Sequence, residues 1–348
     1  MKSGIALFTA VLAGFAAPLV AAPGSAPLVI AHRGDSANLP EHTLAAYALA
    51  IAKGADFIEP DLVPTRDGHL VARHENEIGG TTNVADHAEF ADRRTSKIID
   101  GQRVEGWFTE DFTLAELKRL RTRERLPELR PGNSLFDGEE PIPTLEEILA
   151  LVEQAGRPVG LYIETKHPSY FRSIGLPVEE RLLQILASAG LDDEDAPVFL
   201  QSFEVGNLQR LRPQTDLRLV QLASAEGGPA DRTDLRYADM LTPDGLAEVA
   251  TYADGVGVEK NLVIPRDAEG RLLAPTTLVD DAHHAGLVIH AWTFRPENAF
   301  LPADYRSEGF PGARGRACEE IRTFLVTGLD GVFSDSVEDA VSARANRC

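Results

Sequence analysis

The stretch Leu28-Val29-Ile30-Ala31 running into His32-Arg33-Gly34, with Ala55-Asp56-Phe57-Ile58 running into Glu59-Pro60-Asp61-Leu62, decides how this chain is read. Each is a short apolar run that ends abruptly in charged residues. Side chains two apart on a strand point the same way, so Glu59 and Asp61 offer two carboxylates to one side. His32 and Arg33 place an imidazole and a fixed cation at the end of another strand.

Outward from these two runs, the same pattern recurs. Further apolar stretches lie at 159–165, 198–203, 218–222, 255–259, 288–293 and 331–334. Most lack polar alternation, as strands buried on both faces do. Between them come helical periods: Leu44, Tyr47, Ala48 and Ile51; Leu145, Ile148, Leu149 and Val152; Leu182, Ile185, Leu186 and Ala189. Thr113 with Glu116, and Thr144 with Glu147, have capping-box spacing. Eight strands alternating with helices predict an α/β fold of the (β/α)8 TIM-barrel type. An open doubly wound sheet is the alternative, but it calls for a glycine-rich phosphate loop after its first strand, and that is missing here. Residues 76 to about 142 are polar and break the repeat, which predicts a small insertion after strand 2, suited to capping the barrel mouth. Residues 28–345 are expected to form a single barrel domain, with 296–317 as a loop between the last two strands.

The chain has 348 residues, 43% apolar and 25% charged, with a formal charge of −20. Nucleic acid is disfavoured as a partner, because phosphate backbones are bound through basic surfaces. A small anionic ligand is still compatible if its pocket is locally positive. Residues 1–22, with Lys2 ahead of a short apolar stretch and small residues, predict a secretory signal peptide cleaved near Ala21 or Ala22. No later stretch is apolar and long enough to cross a bilayer, so a periplasmic or secreted location without stable membrane insertion is expected. In such an oxidising compartment Cys318 and Cys348 are able to pair. Composition leaves the oligomeric state open.

Other chemistry-bearing residues fall at predicted strand ends. His74 follows Val71-Ala72-Arg73, Glu164 and Lys166 close the run at 159–165, and Gln201, Trp292 and Asp335 lie at or near later ends. In a barrel these ends share one face. Carboxylates without cysteine favour one hard divalent ion, Mg²⁺ or Ca²⁺. Two imidazoles can divide proton transfer, while Arg33 and Lys166 hold anionic charge as a planar fork and a point charge. Asp335 is also a candidate cap for the helix that follows, and His290 is undecided between core and site. His283 and His284 fit a surface helix.

At these residues the sequence resembles the glycerophosphodiester phosphodiesterase family, in particular its exported bacterial branch. The resemblance rests on His32-Arg33-Gly34, Pro40-Glu41-His42-Thr43, Gly54 to Asp61, Thr65-Arg66-Asp67-Gly68, His74-Glu75, Ile163-Glu164-Thr165-Lys166, Leu200-Gln201-Ser202-Phe203 and Gly331 to Asp335. It spans residues 28 to about 340. It implies hydrolysis of deacylated phospholipid headgroups to sn-glycerol 3-phosphate and an alcohol. Carried over by position, His32 and His74 form the acid/base pair, and Glu59, Asp61 and Glu164 the metal ligands. Arg33 and Lys166 become phosphate contacts and Trp292 a wall for glycerol or headgroup. Two departures stand out: His42 replaces the family's asparagine, and Glu75 replaces its aspartate. The attacking group, either a neighbouring glycerol hydroxyl or water, is not fixed by sequence. Competing readings are a metal-dependent amidohydrolase, which wants His-x-His where this chain has His32-Arg33-Gly34, an exported phosphodiester-binding protein, and a phospholipase D-like barrel.

Overall fold

The computed structural model describes residues 26–348, so the expected export segment and its cleavage site lie outside the described residues. The described residues form twelve strands: β1 (Leu28–His32), β2 (Phe57–Glu59), β3 (Asp61–Pro64), β4 (Leu70–Ala72), β5 (Thr95–Ile99), β6 (Gln102–Gly106), β7 (Gly160–Thr165), β8 (Val198–Ser202), β9 (Arg218–Ala223), β10 (Gly255–Glu259), β11 (Val288–Phe294) and β12 (Gly331–Ser334). The main sheet runs β2-β1-β12-β11-β10-β9-β8-β7-β3-β4, and β2 also pairs with β7, which closes the ring. β2 and β3 are two halves of one barrel strand, parted at Pro60, so the barrel has the eight parallel strands and intervening helices of a (β/α)8 fold. Proline brings no N–H to the ladder, yet its carbonyl still accepts from Glu164 N at 3.0 Å.

The second strand does not lead straight into a helix. β3 turns through Thr65-Arg66-Asp67-Gly68 into antiparallel β4. Gly68 takes φ +80°, the left-handed conformation that glycine tolerates, and the Thr65 hydroxyl donates to Asp67 at 2.7 Å. The chain thus doubles back before His74. Between β4 and the helix Leu145–Glu153 come the antiparallel β5–β6 hairpin and the short helix Leu114–Leu117. Both helices carry the complete capping boxes expected at Thr113/Glu116 and Thr144/Glu147.

Two apolar layers result. Val29, Ala31, Ile58, Leu161, Ile163 and Val332 face outward against the helices. Inside the ring, Leu28, Ile30, Phe57, Tyr162, Phe199, Val220 and Phe333 fill the barrel, with Trp292 above them. Tyr162 stacks on Phe199 at 4.7 Å and meets Phe333 edge-on at 4.8 Å. Gly160 permits this filling, since a β-carbon there would come within 2.1 Å of the Phe57 ring. His290 belongs to the same interior, 2.8 Å from the Tyr162 hydroxyl through Nδ1, which settles it as core. Cys318 and Cys348 form a disulfide that ties the C-terminal end to the helix Ala317–Leu325. Among the described residues no helix is long and apolar enough to cross a membrane.

Candidate active site

Barrel register builds the site. His32 lies opposite Glu59, Asp61 opposite Glu164, and Glu164 opposite Gln201, a row across adjoining strand ends. Glu59, Asp61 and Glu164 are all buried, and one oxygen from each lies within 4.8 Å of the others. Two oxygens that each lie about 2.3–2.6 Å from one ion are at most about 5 Å apart, so the three can share a cation. Asp61 Oδ1 is buried without a hydrogen-bond partner and belongs to an all-oxygen donor set that suits a hard divalent ion.

Each carboxylate is oriented by neighbours. Glu59 accepts from Gln201 Nε2 at 2.8 Å and from the Arg33 backbone N–H at 3.1 Å. The latter contact depends on Arg33 adopting φ +60°. Asp61 meets His42 Nε2 at 3.0 Å, and His42 Nδ1 meets the Tyr47 hydroxyl at 2.7 Å. The His42 imidazole therefore bridges Asp61 to a buried phenol. Glu164 accepts from Lys166 Nζ at 2.8 Å. Burial, then the charges of Asp61 and Glu164, hold Glu59 well above the usual carboxylate range. Burial also pushes Glu164 up to about 7, against the pull of Lys166. It acts in the same direction on Asp61, but His42, Lys166 and Arg33 outweigh it and keep that group well below the usual range. Three carboxylates this close, without a cation among them, cannot all be comfortably ionised.

Beside the triad lies a cavity of about 340 Å³ whose walls include His32, His74, Lys166 and Trp292, together with Arg125 and Arg295. His32 Nδ1 is 2.6 Å from Asp335 Oδ1, leaving Nε2 on the side of Glu59, 3.9 Å away. Burial and then Arg33 lower His32 to about 4, despite Asp335. His74 sits nearer the mouth, with 28% of its side chain exposed and Nδ1 2.7 Å from Glu75. Enclosure, Arg33 and Lys166 lower it to about 3. Trp292 donates its indole N–H to Gly257 O at 3.0 Å and meets Phe203 edge-on.

The structure brings His32, Arg33, Glu59, His74, Glu164, Lys166 and Trp292 to one cavity, with Asp61 directly behind it. Arg33 is more committed than its sequence position suggests: Nη1 reaches both Glu41 oxygens, at 3.1 and 3.3 Å, and Nε lies 3.4 Å from Asp61. Asp335 does not cap the following helix; Asp35 takes the Val337 N–H at 2.9 Å, and Asp335 turns to His32. Arg125 and Arg295 were not visible as site residues, because both come from loops with no local pattern. Gln201 carried a hint, ending an apolar strand with an amide.

The sequence profile described as "Glycerophosphoryl diester phosphodiesterase family" matches residues 32–339. A glycerophosphodiester phosphodiesterase of Arabidopsis thaliana is 34% identical over 323 residues, covering 89% of this chain and 84% of the plant protein. A glycerophosphodiester phosphodiesterase of Haemophilus influenzae is 32% identical, with 78% and 79% covered. Among solved structures, an Oleispira antarctica phosphodiesterase in complex with the product sn-glycerol-3-phosphate superposes with a TM-score of 0.60 at 22% identity, covering 91% of this chain and 96% of that one. At that identity the likeness establishes the fold.

Proposed function

The chain belongs to the glycerophosphoryl diester phosphodiesterase family, and from that premise we propose that it hydrolyses glycerophosphodiesters to sn-glycerol 3-phosphate and an alcohol. The observation that carries this reading is the convergence of Glu59, Asp61 and Glu164 within 4.8 Å, beside a cavity walled by two imidazoles and several cations. Glu59, Asp61 and Glu164 are the groups that would hold a divalent ion, Ca²⁺ or Mg²⁺. When bound there, it would supply positive charge against the phosphate and the crowded carboxylates.

The protein's own groups do the rest. Lys166, Arg33 and the neighbouring Arg125 and Arg295 draw the phosphodiester anion into the cavity. His32, neutral and fixed through Nδ1, accepts a proton at Nε2 from the attacking hydroxyl. His74, near the mouth, takes up a proton once the anionic phosphodiester offsets the charges of Arg33 and Lys166, and gives it to the departing alcohol oxygen as its bond to phosphorus breaks. The attacking group in this reading is the glycerol hydroxyl beside the phosphate, so the alcohol leaves as a cyclic phosphate ester forms. Water then opens that ring in a second step, with the two imidazoles exchanging roles, to give sn-glycerol 3-phosphate, and Trp292 offers a flat wall to glycerol or headgroup. A substrate lacking that hydroxyl should turn over at least a hundredfold more slowly; comparable rates would exclude the internal route.

Residues 28–345 act in this reading as one catalytic domain with residues 76–142 as its cap, in an exported protein. The Cys318–Cys348 disulfide supports the location, as does the leader-like composition of residues 1–22. The deciding assay measures sn-glycerol 3-phosphate release from glycerophosphocholine, glycerophosphoethanolamine and an aryl phosphodiester, with and without chelator. Release that stops with chelator and returns with Ca²⁺ or Mg²⁺ is expected. Chelator-resistant release, or none from any substrate, would overturn the proposal.

A further inference from the structure

Both imidazoles are held through carboxylates, and both carboxylates are reached from the segment between β4 and the helix Leu145–Glu153. Arg130, from that segment, is buried deep among loops of the barrel. Its Nε donates to Glu297 at 2.6 Å, Nη1 to the Ser36 carbonyl at 2.8 Å, and Nη2 to Asp335 Oδ2. Asp335 Oδ1 meets His32 Nδ1 at 2.6 Å. One guanidinium therefore joins the loops after β1 and β11 to the end of β12, and fixes the carboxylate that aligns His32. Arg295 adds a second cation 3.3 Å from the same oxygen, Oδ2.

The other imidazole has a parallel arrangement nearer solvent. Glu75 Oε1 is 2.7 Å from His74 Nδ1, and Glu75 Oε2 is 3.3 Å from His167 Nε2. His167 Nδ1 in turn lies 2.6 Å from Asp100 Oδ2, at the tip of the β5–β6 hairpin. Asp100 and His167 both adopt left-handed φ, +48° each, which non-glycine residues rarely do without supporting contacts. An aspartate at position 75 would be one methylene shorter, so the glutamate found here suits a carboxylate that must touch two imidazoles at once.

We propose that the inserted segment positions both histidines, Arg130 acting on His32 through Asp335, and Asp100 acting on His74 through His167 and Glu75. The inference rests on the hydrolytic reading above and gives the segment a part in the chemistry beyond covering the mouth. Arg130, Asp335, Glu75, His167 and Asp100 are positioning residues, since each acts through an imidazole. The consequence is a division of effect. Loosening Arg130 misaligns the nitrogen that takes the proton from the attacking hydroxyl, which slows every substrate. Loosening Asp100 misaligns the group that protonates the departing oxygen, which matters most when that oxygen is a poor leaving group.

The test uses the full chain loaded with Ca²⁺, and compares glycerophosphocholine with the 4-nitrophenyl diester of glycerol phosphate. Arg130→Ala and Asp335→Asn should each lower kcat at least thirtyfold on both substrates with KM within threefold. Arg130→Lys should retain an intermediate kcat, and millimolar guanidinium should restore Arg130→Ala tenfold or more. Asp100→Asn should lower kcat about fivefold to tenfold on glycerophosphocholine and less than threefold on the aryl ester. The Arg130 arm falls if the folded variants keep kcat within threefold of the parent, or if Arg130→Lys and guanidinium recover nothing. The Asp100 arm falls if the two substrates lose equally. A parent protein inactive on both substrates would instead refute the hydrolytic reading itself.

Discussion

Replacing His42 by alanine is expected to destabilise the protein by about 3–5 kcal/mol and to weaken divalent-cation binding at least tenfold. The imidazole is fully buried between Asp61 Oδ2 at 3.0 Å and the Tyr47 hydroxyl at 2.7 Å. Burial, opposed by Asp61, lowers its pKa, so the ring is neutral: Nε2–H donates to the carboxylate and Nδ1 accepts from the phenol. A hydrogen bond to a charged group contributes about 1.5–3 kcal/mol and a neutral one about 1 kcal/mol. The void left by a buried ring adds about 1 kcal/mol or more. Asp61 would also lose the donor that orients it toward Glu59 and Glu164, and loss of such a supporting bond typically costs about 10–100-fold in metal affinity. Asparagine at the same position keeps a donor and most of the packing, so His42→Asn should lose only about 1–2 kcal/mol. Urea denaturation in chelator reads the first quantity, and calorimetric titration with Ca²⁺ reads the second. If His42→Ala costs under 1 kcal/mol and leaves affinity within twofold, the bridge has no such role.

Three other substitutions probe separate parts of the structure. Glu59→Gln removes one of three crowded carboxylates but keeps a single accepting oxygen, so it holds either the Gln201 or the Arg33 bond and not both. Relief of crowding offsets the lost bond, and the chelated protein should stay within about 1 kcal/mol of the parent in urea while losing stabilisation by added Ca²⁺; a loss above about 3 kcal/mol in chelator would contradict the crowding argument. Exchanging Cys318 and Cys348 for serine opens a cross-link over 30 residues, and the denaturation midpoint should fall by the equivalent of about 3 kcal/mol, matched by adding reductant to the parent. For His167, burial acts to lower the pKa but Asp100 and Glu75 raise it to about 9. Because the folded value exceeds the unfolded one, its stabilisation is complete below about pH 6.5 and fades as pH rises through 9. With Glu75 half exposed, the effect should be about 1 kcal/mol, seen as a stability gap between parent and His167→Gln at pH 6 that closes by pH 10.

Much of this architecture was legible because the barrel strands are buried on both faces and so read as unbroken apolar runs. The paired carboxylates were legible for a related reason: Glu59 and Asp61 end such a run, and charge at the end of a buried strand stands out. The interruption at Pro60 and the β3–β4 hairpin were less visible, though Asp67-Gly68 is a turn pair and Pro60 lacks an N–H. What sequence could not supply was the set of residues that meet only in three dimensions. Arg125, Arg130 and Arg295 lie in irregular segments, where no period marks which side chain turns inward. Asp335 shows how a local rule yields to a distant partner: a position suited to capping a helix was freed by Asp35 and taken up by His32, 303 residues away. His290 fell the other way, since a tyrosine across the barrel meets its Nδ1 inside the core.

The His32–Asp335 contact links the opening strand of the ring to its closing one, β1 and β12, which pair in parallel from Leu28 beside Gly331 to Ala31 beside Ser334. The two halves of this dyad stay apart until the seam is sewn, however well the intervening helices have formed. Turnover is thereby a late reporter of maturation: a chain emerging from synthesis holds every strand but the last without an aligned His32, and gains one only as its two ends come together.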